Sequence, residues 1–268
     1  MNAFEWLGML MRAAKTMVVL AGLGLALAGC ATPPPASDPE GLAEFKQTND
    51  PLEPTNRVLY EVNTGLDTMI LRPLAIGYTW AVPSFLRTRV HNVLSNLNSP
   101  VLLANDIMQT KPRRAGDTLM RFLINSTIGL GGMFDVADGW GYPYHDADFG
   151  ETLALWGVSE GPYLFLPILG PGNPRDTSGY GVDIALDPLT WEPGGSVGWD
   201  IGYARYGATL VDTRAGLMDT LDKATEQALD PYATVRSLYR QHRQSEIDAV
   251  AADTRATTPA WYATPASH

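Results

Sequence analysis

The chain has 268 residues, 45% of them hydrophobic and 18% charged, with a formal charge of −10 from 29 acidic and 19 basic side chains. That excess of acid excludes partners held by clustered Lys and Arg, nucleic acid above all, and gives no pull toward anionic lipid headgroups, so any membrane contact must come from apolar burial. A single cysteine excludes an internal disulfide framework, and a domain of about 200 ordered residues must then rest on its own core.

Arg12 and Lys15 precede an apolar run from Met17 to Leu27, and Leu27-Ala28-Gly29-Cys30 closes it. Basic, apolar and small-residue regions in that order make a secretory signal. The run is shorter than the roughly 20 residues that span a bilayer. The tetrapeptide looks like a bacterial lipobox, cut before Cys30, whose thiol then carries diacylglycerol. An ordinary cleaved signal followed by an incidental thiol is the alternative, and it leaves a lone exported cysteine unexplained. Residues 1–29 are thus expected to be the signal peptide, with Glu5 and Trp6 pointing to Met9 or Met11 as its start. Their loss removes two basic residues and one acidic one, which leaves −11. Ala31, rather than Asp, follows the cysteine, and so the expected place is the outer membrane of a Gram-negative envelope, anchored on the periplasmic side.

Residues 30–48 read as the anchor and a stiff tether, with Ala-Thr-Pro-Pro-Pro-Ala-Ser over 31–37 leading away from the lipid. Residues 49–250 carry helical periodicity. Leu59, Val62, Leu66 and Met69/Ile70 form one stripe, and Ala115, Leu119, Phe122/Leu123 and Ser126 a second. Tyr203, Tyr206, Leu210, Leu217 and Leu221 make a third, and Val235, Leu238/Tyr239 and His242 a fourth. Two-residue alternation is nearly absent, so the fold class is mainly α. Asp230-Pro231 opens the last helix with a cap and a first-turn proline. Residues 251–268 are rich in Ala, Thr and Pro and read as a disordered tail, with Trp261 and Tyr262 its only sticky points.

Between Gly157 and Gly198 the periodicity collapses, with 15 Gly or Pro in 42 residues, a density that argues against long regular helix. Irregular segments of that length in a compact domain are usually functional or disordered, and the apolar Tyr163 to Leu169 argue against disorder. Two readings remain: a glycine-jointed loop lining a groove or lipid boundary, or a loop packed on the core.

Several motifs stand in order along the chain: Asn49-Asp50-Pro51-Leu52-Glu53-Pro54-Thr55-Asn56-Arg57, Arg72-Pro73, Arg121 to Gly132 with Phe134-Asp135-Val136-Ala137, Asp148 to Leu153, Gly157-Val158 to Gly161-Pro162-Tyr163, and Asp230-Pro231-Tyr232 with Arg236. Together they resemble the MlaA (VacJ) family of outer-membrane lipoproteins. The resemblance runs from about Asn49 to Arg243 and implies a helical protein lying within the inner leaflet of the outer membrane, ring-like around a channel, beside trimeric porins. It implies extraction of phospholipid that has strayed into the outer leaflet and its transfer to a periplasmic carrier. No bond is broken, and no enzyme activity, cofactor or metal is expected. The task needs a polar path for the headgroup, a boundary that tolerates acyl chains, and a lid. Amphipathic helices with apolar faces to lipid supply the first two, and the Gly/Pro-rich loop is the candidate lid, hinged at glycines.

Candidate channel or gate residues are therefore Asn49, Asp50, Gly161, Pro162, Gly170 and Gly172. Asp50-Pro51-Leu52-Glu53 reads most simply as a helix start, with a channel mouth as the alternative. Gly129-Leu130-Gly131-Gly132 lacks the Gly-Lys-Ser/Thr of a phosphate loop and reads as helix termination. Arg72, Arg87, Arg89, Arg113, Arg114 and Arg121 are solvated or capping charges, or contacts to a lipid phosphate. The four histidines, His91, His145, His242 and His268, show no ligand spacing. Two other classes compete. Gly194-Gly195-Ser196-Val197-Gly198 fits the G-x-S-x-G pattern of lipases and esterases, though Glu192-Pro193 suits no leading strand and only His242 and His268 follow. A structural lipoprotein bridging porins to other envelope parts is the third.

Overall fold

The computed structural model describes residues 31–35, 37–191 and 196–256; Cys30 and the lipobox, Glu192 to Gly195 and the tail beyond Ala256 lie outside them. The architecture is mainly helical. α1 (Pro39–Thr48) and α2 (Glu53–Leu66) come first, and a π-helical turn (Asp67–Leu71) leads directly from α2 into α3 (Arg72–Ala81). α4 (Ser84–Met108) and α5 (Pro112–Thr127) pair next, followed by the short α6 (Val136–Gly139) and α7 (Phe149–Leu155). An antiparallel hairpin joins β1 (Leu164–Leu166) to β2 (Gly170–Gly172), with Phe165 opposite Pro171. α8 (Pro174–Leu186), a 3₁₀ turn (Pro188–Trp191), α9 (Ser196–Glu226) and α10 (Pro231–Ala251) complete the described chain.

Helix starts follow local chemistry. Asp38, Asp135, Asp148, Asn173 and Asp230 each accept a bond from a first-turn amide with the side chain. Proline occupies the first turn of α1, α2, α5, α8 and α10, where its missing N–H costs nothing, whereas Pro73 of α3 follows directly on the π-helical turn.

Three segments depart from the sequence expectation. The chain between Ala31 and Pro51 folds back, and the Ala31 amide donates to the Pro51 carbonyl at 2.7 Å, so the proline run does not lead away from the body. Arg240 enforces that return by donating to the last carbonyls of α1, Gln47 and Thr48, at 2.7 Å each. The Gly/Pro-rich stretch contains α8, 13 residues long, because Asn173-Pro174 starts it well and Gly179 is needed inside it. A Cβ at Gly179 would lie 2.4 Å from the Gly150 amide nitrogen, so glycine here permits helix contact rather than breaking a helix. The tail begins as an ordered strap. Arg255 forks onto Asp117, and Arg114 and Lys111 donate to the carbonyls of Thr254 and Ala251.

The burial pattern is inverted. Among the described residues, 20 buried side chains are polar or charged and ten are hydrophobic, while large apolar side chains crowd the surface. On α5 the inward residues are Arg114, Asp117, Thr118, Arg121, Ile124 and Asn125, whereas Leu119 and Leu123 point out. A similar apolar surface covers α2 to α4 at Val62, Met69, Ile70, Leu74, Trp80 and Phe85, with Trp80 88% exposed. No helix among the described residues is long and apolar enough to cross a membrane. Among the described residues, the hydrophobic core cluster is an aromatic knot of Tyr163, Phe165 and Tyr232, backed by Leu59, Tyr60, Val235 and Tyr239. Tyr60 meets Phe165 and Tyr232 edge to face, with centroids 5.5 and 5.8 Å apart.

Candidate functional site

The hairpin is bound to α2 by asparagine side chains spaced seven residues apart. Asn49, in a left-handed conformation after α1, donates from its amide to the Gly161 carbonyl at 2.6 Å, and its own carbonyl accepts from the Tyr163 amide at 2.8 Å. Two turns on, Asn56 donates to the Tyr163 carbonyl at 3.1 Å and accepts from the Phe165 amide at 2.9 Å. Asn63 repeats the pattern, donating to the Leu166 carbonyl at 3.0 Å and accepting from the Ile168 amide at 2.8 Å. The side-chain amides of Asn56 and Asn63 thereby each offer one donor and one acceptor, as the edge of a neighbouring strand would, while Asn49 donates from its side chain and accepts on its main-chain carbonyl. α2 acts as a surrogate strand for β1.

The ladder is graded in strength. Asn56 is buried and also donates to Asp50 at 2.8 Å. Asp50, itself 2% exposed, further accepts from Tyr232 and from Arg236, the latter at 2.7 Å. Burial and the adjacent Asp50 push the Tyr232 hydroxyl well above the ordinary tyrosine range. Asn49 and Asp50 thus sit in one knot with the hairpin foot and α10. Asn63, at the other end, holds an exposed tip in which Ile168 and Leu169 face outward. Ile168 has φ 70°, a left-handed conformation that a β-branched residue adopts only under constraint.

The predicted glycines divide. Gly161 and Gly170 are both left-handed, with φ 75° and 83°; Gly161 lies just before β1, and Gly170 opens β2 directly after the turn at 167–169. A Cβ at Gly161 would also press on Pro174 at 3.1 Å, whereas the space beside Gly170 is open. Pro162 follows the first bend, and Gly172 closes β2 beside Leu166 without positive φ. A crevice at the hairpin foot, between Tyr163, Asn173, Tyr239 and Arg240, has an empty volume of about 160 Å³, too small for a lipid.

Other candidates are spent elsewhere. Arg114 is fully buried and donates to the Asp146 and Thr254 carbonyls, and Arg121 pairs with Asp135 at 2.6 Å. Arg72 pairs with Asp222 at 2.7 Å, and Arg89 stacks 4.4 Å above Phe134. His145 lies 2.9 Å from Asp106 in the same buried network as Arg114 and Thr118. Gly129 to Gly132 do end α5; the Gly132 amide donates to the Asn125 carbonyl. Ser196 is the first residue of α9, and the described element before it is a 3₁₀ turn, not the strand that a nucleophile elbow requires. His242 pairs with Glu246 at 3.0 Å on the same helix.

One array was invisible in the sequence. His91 lies 2.9 Å from Asp212 and 3.4 Å from the Ser95 hydroxyl, and Tyr78 donates to Asp212 at 3.1 Å. Ser95 sits in mid-helix, where backbone amides are committed to the helix and offer no oxyanion donor. The array ties α3, α4 and α9 together. The asparagine ladder, by contrast, did leave a signal: Asn56 and Asn63 stand one heptad apart on α2, a spacing that keeps one helix face, and Asn49 precedes the helix by the same interval.

Residues 48–246 match the MlaA lipoprotein family. The intermembrane phospholipid transport system lipoprotein MlaA of Haemophilus influenzae is 33% identical over 239 residues, covering 87% of this chain and 92% of that protein. Its namesake in Escherichia coli is 34% identical over 220 residues, 80% and 82% of the two chains. An uncharacterized protein of Rickettsia felis is 36% identical over 74% of this chain and 78% of its own. A structure solved to explain the maintenance of bacterial outer membrane lipid asymmetry superposes with a TM-score of 0.65 at 32% identity, covering 74% of this chain and 98% of the other.

Proposed function

Because the chain belongs to the MlaA lipoprotein family, we propose that it removes mislocalised phospholipid from the outer leaflet of the outer membrane and passes it to a periplasmic carrier. The observation that carries this reading is the inverted burial: polar and charged side chains inside, large apolar side chains outside. A water-soluble protein gains stability by the opposite arrangement. Apolar faces without a partner suit acyl chains, and a polar interior suits a headgroup. In this reading Cys30 carries the lipid anchor on the periplasmic side, trimeric porins supply the path from the outer leaflet, and the protein forms a ring around the lipid's route. No bond in the lipid is broken, so Ser196→Ala retains full function and the purified protein releases no fatty acid.

The hairpin is the gate in this proposal, hinged at Gly161 and Gly170 and latched by the ladder. Asn56 is the fixed end. Asn63 holds the strained tip, so loss of its two bonds lets Ile168 relax and the tip lift. In a deletion strain, the wild-type gene should restore detergent and bile-salt resistance and clear phospholipid from the outer leaflet. Asn63→Leu should act as a gate stuck open, sensitising cells even when the wild-type copy is present. Full resistance with Asn63→Leu at normal abundance would remove the latch, and failure of the wild-type gene itself would remove the transport reading.

A further inference from the structure

The segment before α7 and the faces of α7, α8 and α10 meet around a single guanidinium. Arg243 has five N–H donors, and all five are taken. Its Nε donates to Asp176 at 3.0 Å, Nη1 to Asp148 at 2.7 Å and Glu246 at 3.1 Å, and Nη2 to Asp148 at 2.7 Å and Asp176 at 3.1 Å. Glu151 is left over. It approaches Nη1 only at 3.5 Å, its Oε2 has no partner, and its side chain is 2% exposed.

The charges facing Glu151 do not balance it. The segment before α7 contributes Asp146 and Asp148, α8 contributes Arg175 and Asp176, and α10 contributes His242, Arg243 and Glu246 beside the neutral Tyr239. Arg175 is engaged with Asp176 at 3.0 Å and His242 with Glu246 at 3.0 Å. Even with His242 protonated, three cations face five carboxylates. Solvent reaches Asp148, which is 40% exposed, but not Glu151, and the backbone packs tightly beside it: a Cβ at Gly150 would stand 2.6 Å from both Arg243 Nη2 and Asp176 Oδ1. An ionised carboxylate buried without donors is among the costliest arrangements a protein can hold, and the cheap alternative is to keep the proton.

We propose that Glu151 is a proton-binding joint: it is carried as a neutral acid, and its ionisation loosens the packing of α7 on α8 and α10. The lipid-transfer reading is not needed for this. Burial, with Asp148 next to it, holds the Glu151 carboxyl well above the usual carboxylate range. A raised native value favours the protonated form, so the stabilisation is complete below the unfolded-state value and is lost as pH rises through the native one. The joint also reaches the hairpin. Asp176, shared with Arg243, accepts from Asn173 at 2.7 Å and from Tyr239 at 2.7 Å, and Asn173 directly follows the last residue of β2.

The test uses the full chain in detergent, with denaturation midpoints followed between about pH 5 and pH 9, the range over which ordinary carboxylates stay ionised. Wild type should weaken as pH rises. Glu151→Gln, which mimics the neutral acid, should keep the wild-type midpoint at the acid end and flatten the decline, whereas Glu151→Ala should be weaker at every pH. Infrared spectra should show a protonated-carboxyl C=O band at neutral pH that Glu151→Gln lacks and Asp146→Asn retains. A midpoint for Glu151→Gln as low as that for Glu151→Ala at acid pH, or a neutral-pH spectrum without that band, would overturn the proposal.

Discussion

The α4–α5 pair and the aromatic knot at the hairpin foot are built by opposite rules. In the knot, Tyr163, Phe165 and Tyr232 bury apolar rings, and Asn56 and Asp50 serve the Tyr163 carbonyl, the Phe165 amide and the Tyr232 hydroxyl, as in the core of a soluble domain. Between α4 and α5 the interior holds Asn105, Asp106, Arg114, Asp117, Thr118 and Arg121, while Ile107, Leu119 and Leu123 look outward. Apolar area removed from water stabilises the first region directly. The second gains less from that term, through Val101, Leu102 and Ile124, and its interior stands largely because most of its polar atoms have partners. A knot of the first kind is stabilised in water by its own burial; a pair of the second kind leaves apolar side chains on its outside. The hairpin hangs from the knot and not from the inverted pair, so it is rooted in the region built like a soluble core.

The sharpest way to break this contrast is to remove Arg114. It is fully buried, donates to Asp146 and Thr254 carbonyls, and neighbours the equally buried Asp106. Deleting one member of such a cluster leaves a charge without compensation, and Arg114→Ala should cost about 3–5 kcal/mol in detergent-solubilised protein, read by chemical denaturation. A loss below about 1 kcal/mol, the range of exposed pairs, would show that the interior is hydrated and not a dry polar core.

Asn56→Leu comes next. It strands the Tyr163 carbonyl and the Phe165 amide and removes a donor to Asp50. At about 1–3 kcal/mol for each buried group left unpaired, partly offset by leucine's apolar burial, the net loss should be about 2–3 kcal/mol. Hydrogen exchange should report it as faster opening of residues 163–166 with α5 unchanged, because the two regions are separately stabilised.

Ile168→Gly should change sign. Glycine accepts φ 70° without strain, and the Ile168 amide that bonds Asn63 is kept. The tip should be held more firmly by about 1 kcal/mol, seen as slower exchange at residues 166–170, while Asn63→Leu moves exchange the other way. Equal exchange in both variants would mean that the tip stores no strain.

Much of this fold was legible in the sequence and part of the site was not. Helical stripes over 59–70, 115–126, 203–221 and 235–242 coincide with α2, α5, α9 and α10, because periodicity survives whichever way a face points. Which way it points was not readable from spacing alone; the stripe Leu119 and Leu123 looks like a core face and is a surface. Gly179 looked like a helix breaker and is a spacer, a distinction that depends on Gly150, 29 positions away in the chain. The positive φ of Gly161 and Gly170 was legible, since glycine beside proline in an apolar loop marks a turn. Asp50 and Asn49 were marked for their place in a motif, yet their roles in the knot follow from Tyr163, Tyr232 and Arg236, which only folding brings close.

The smallest expected effect tests the comparison from its outer side. Leu119 and Leu123 are 42% and 49% exposed on α5, opposite the buried Arg114 and Arg121. In detergent, Leu119→Ala with Leu123→Ala should shift stability by no more than about 0.5 kcal/mol, since surface substitutions away from special features do little. Alanine also favours helix slightly over leucine, which works against any loss of packing. Bound to vesicles of neutral phospholipid, the same double variant should dissociate more readily, because each leucine that reaches acyl chains contributes on the order of 1.5–3 kcal/mol of transfer. Neutral lipid is the right probe, as a chain of net charge −10 draws nothing from anionic headgroups. A large stability loss in detergent with vesicle binding unchanged would mean that these leucines pack against protein, and that α5 is an ordinary amphipathic helix with its interior on both sides.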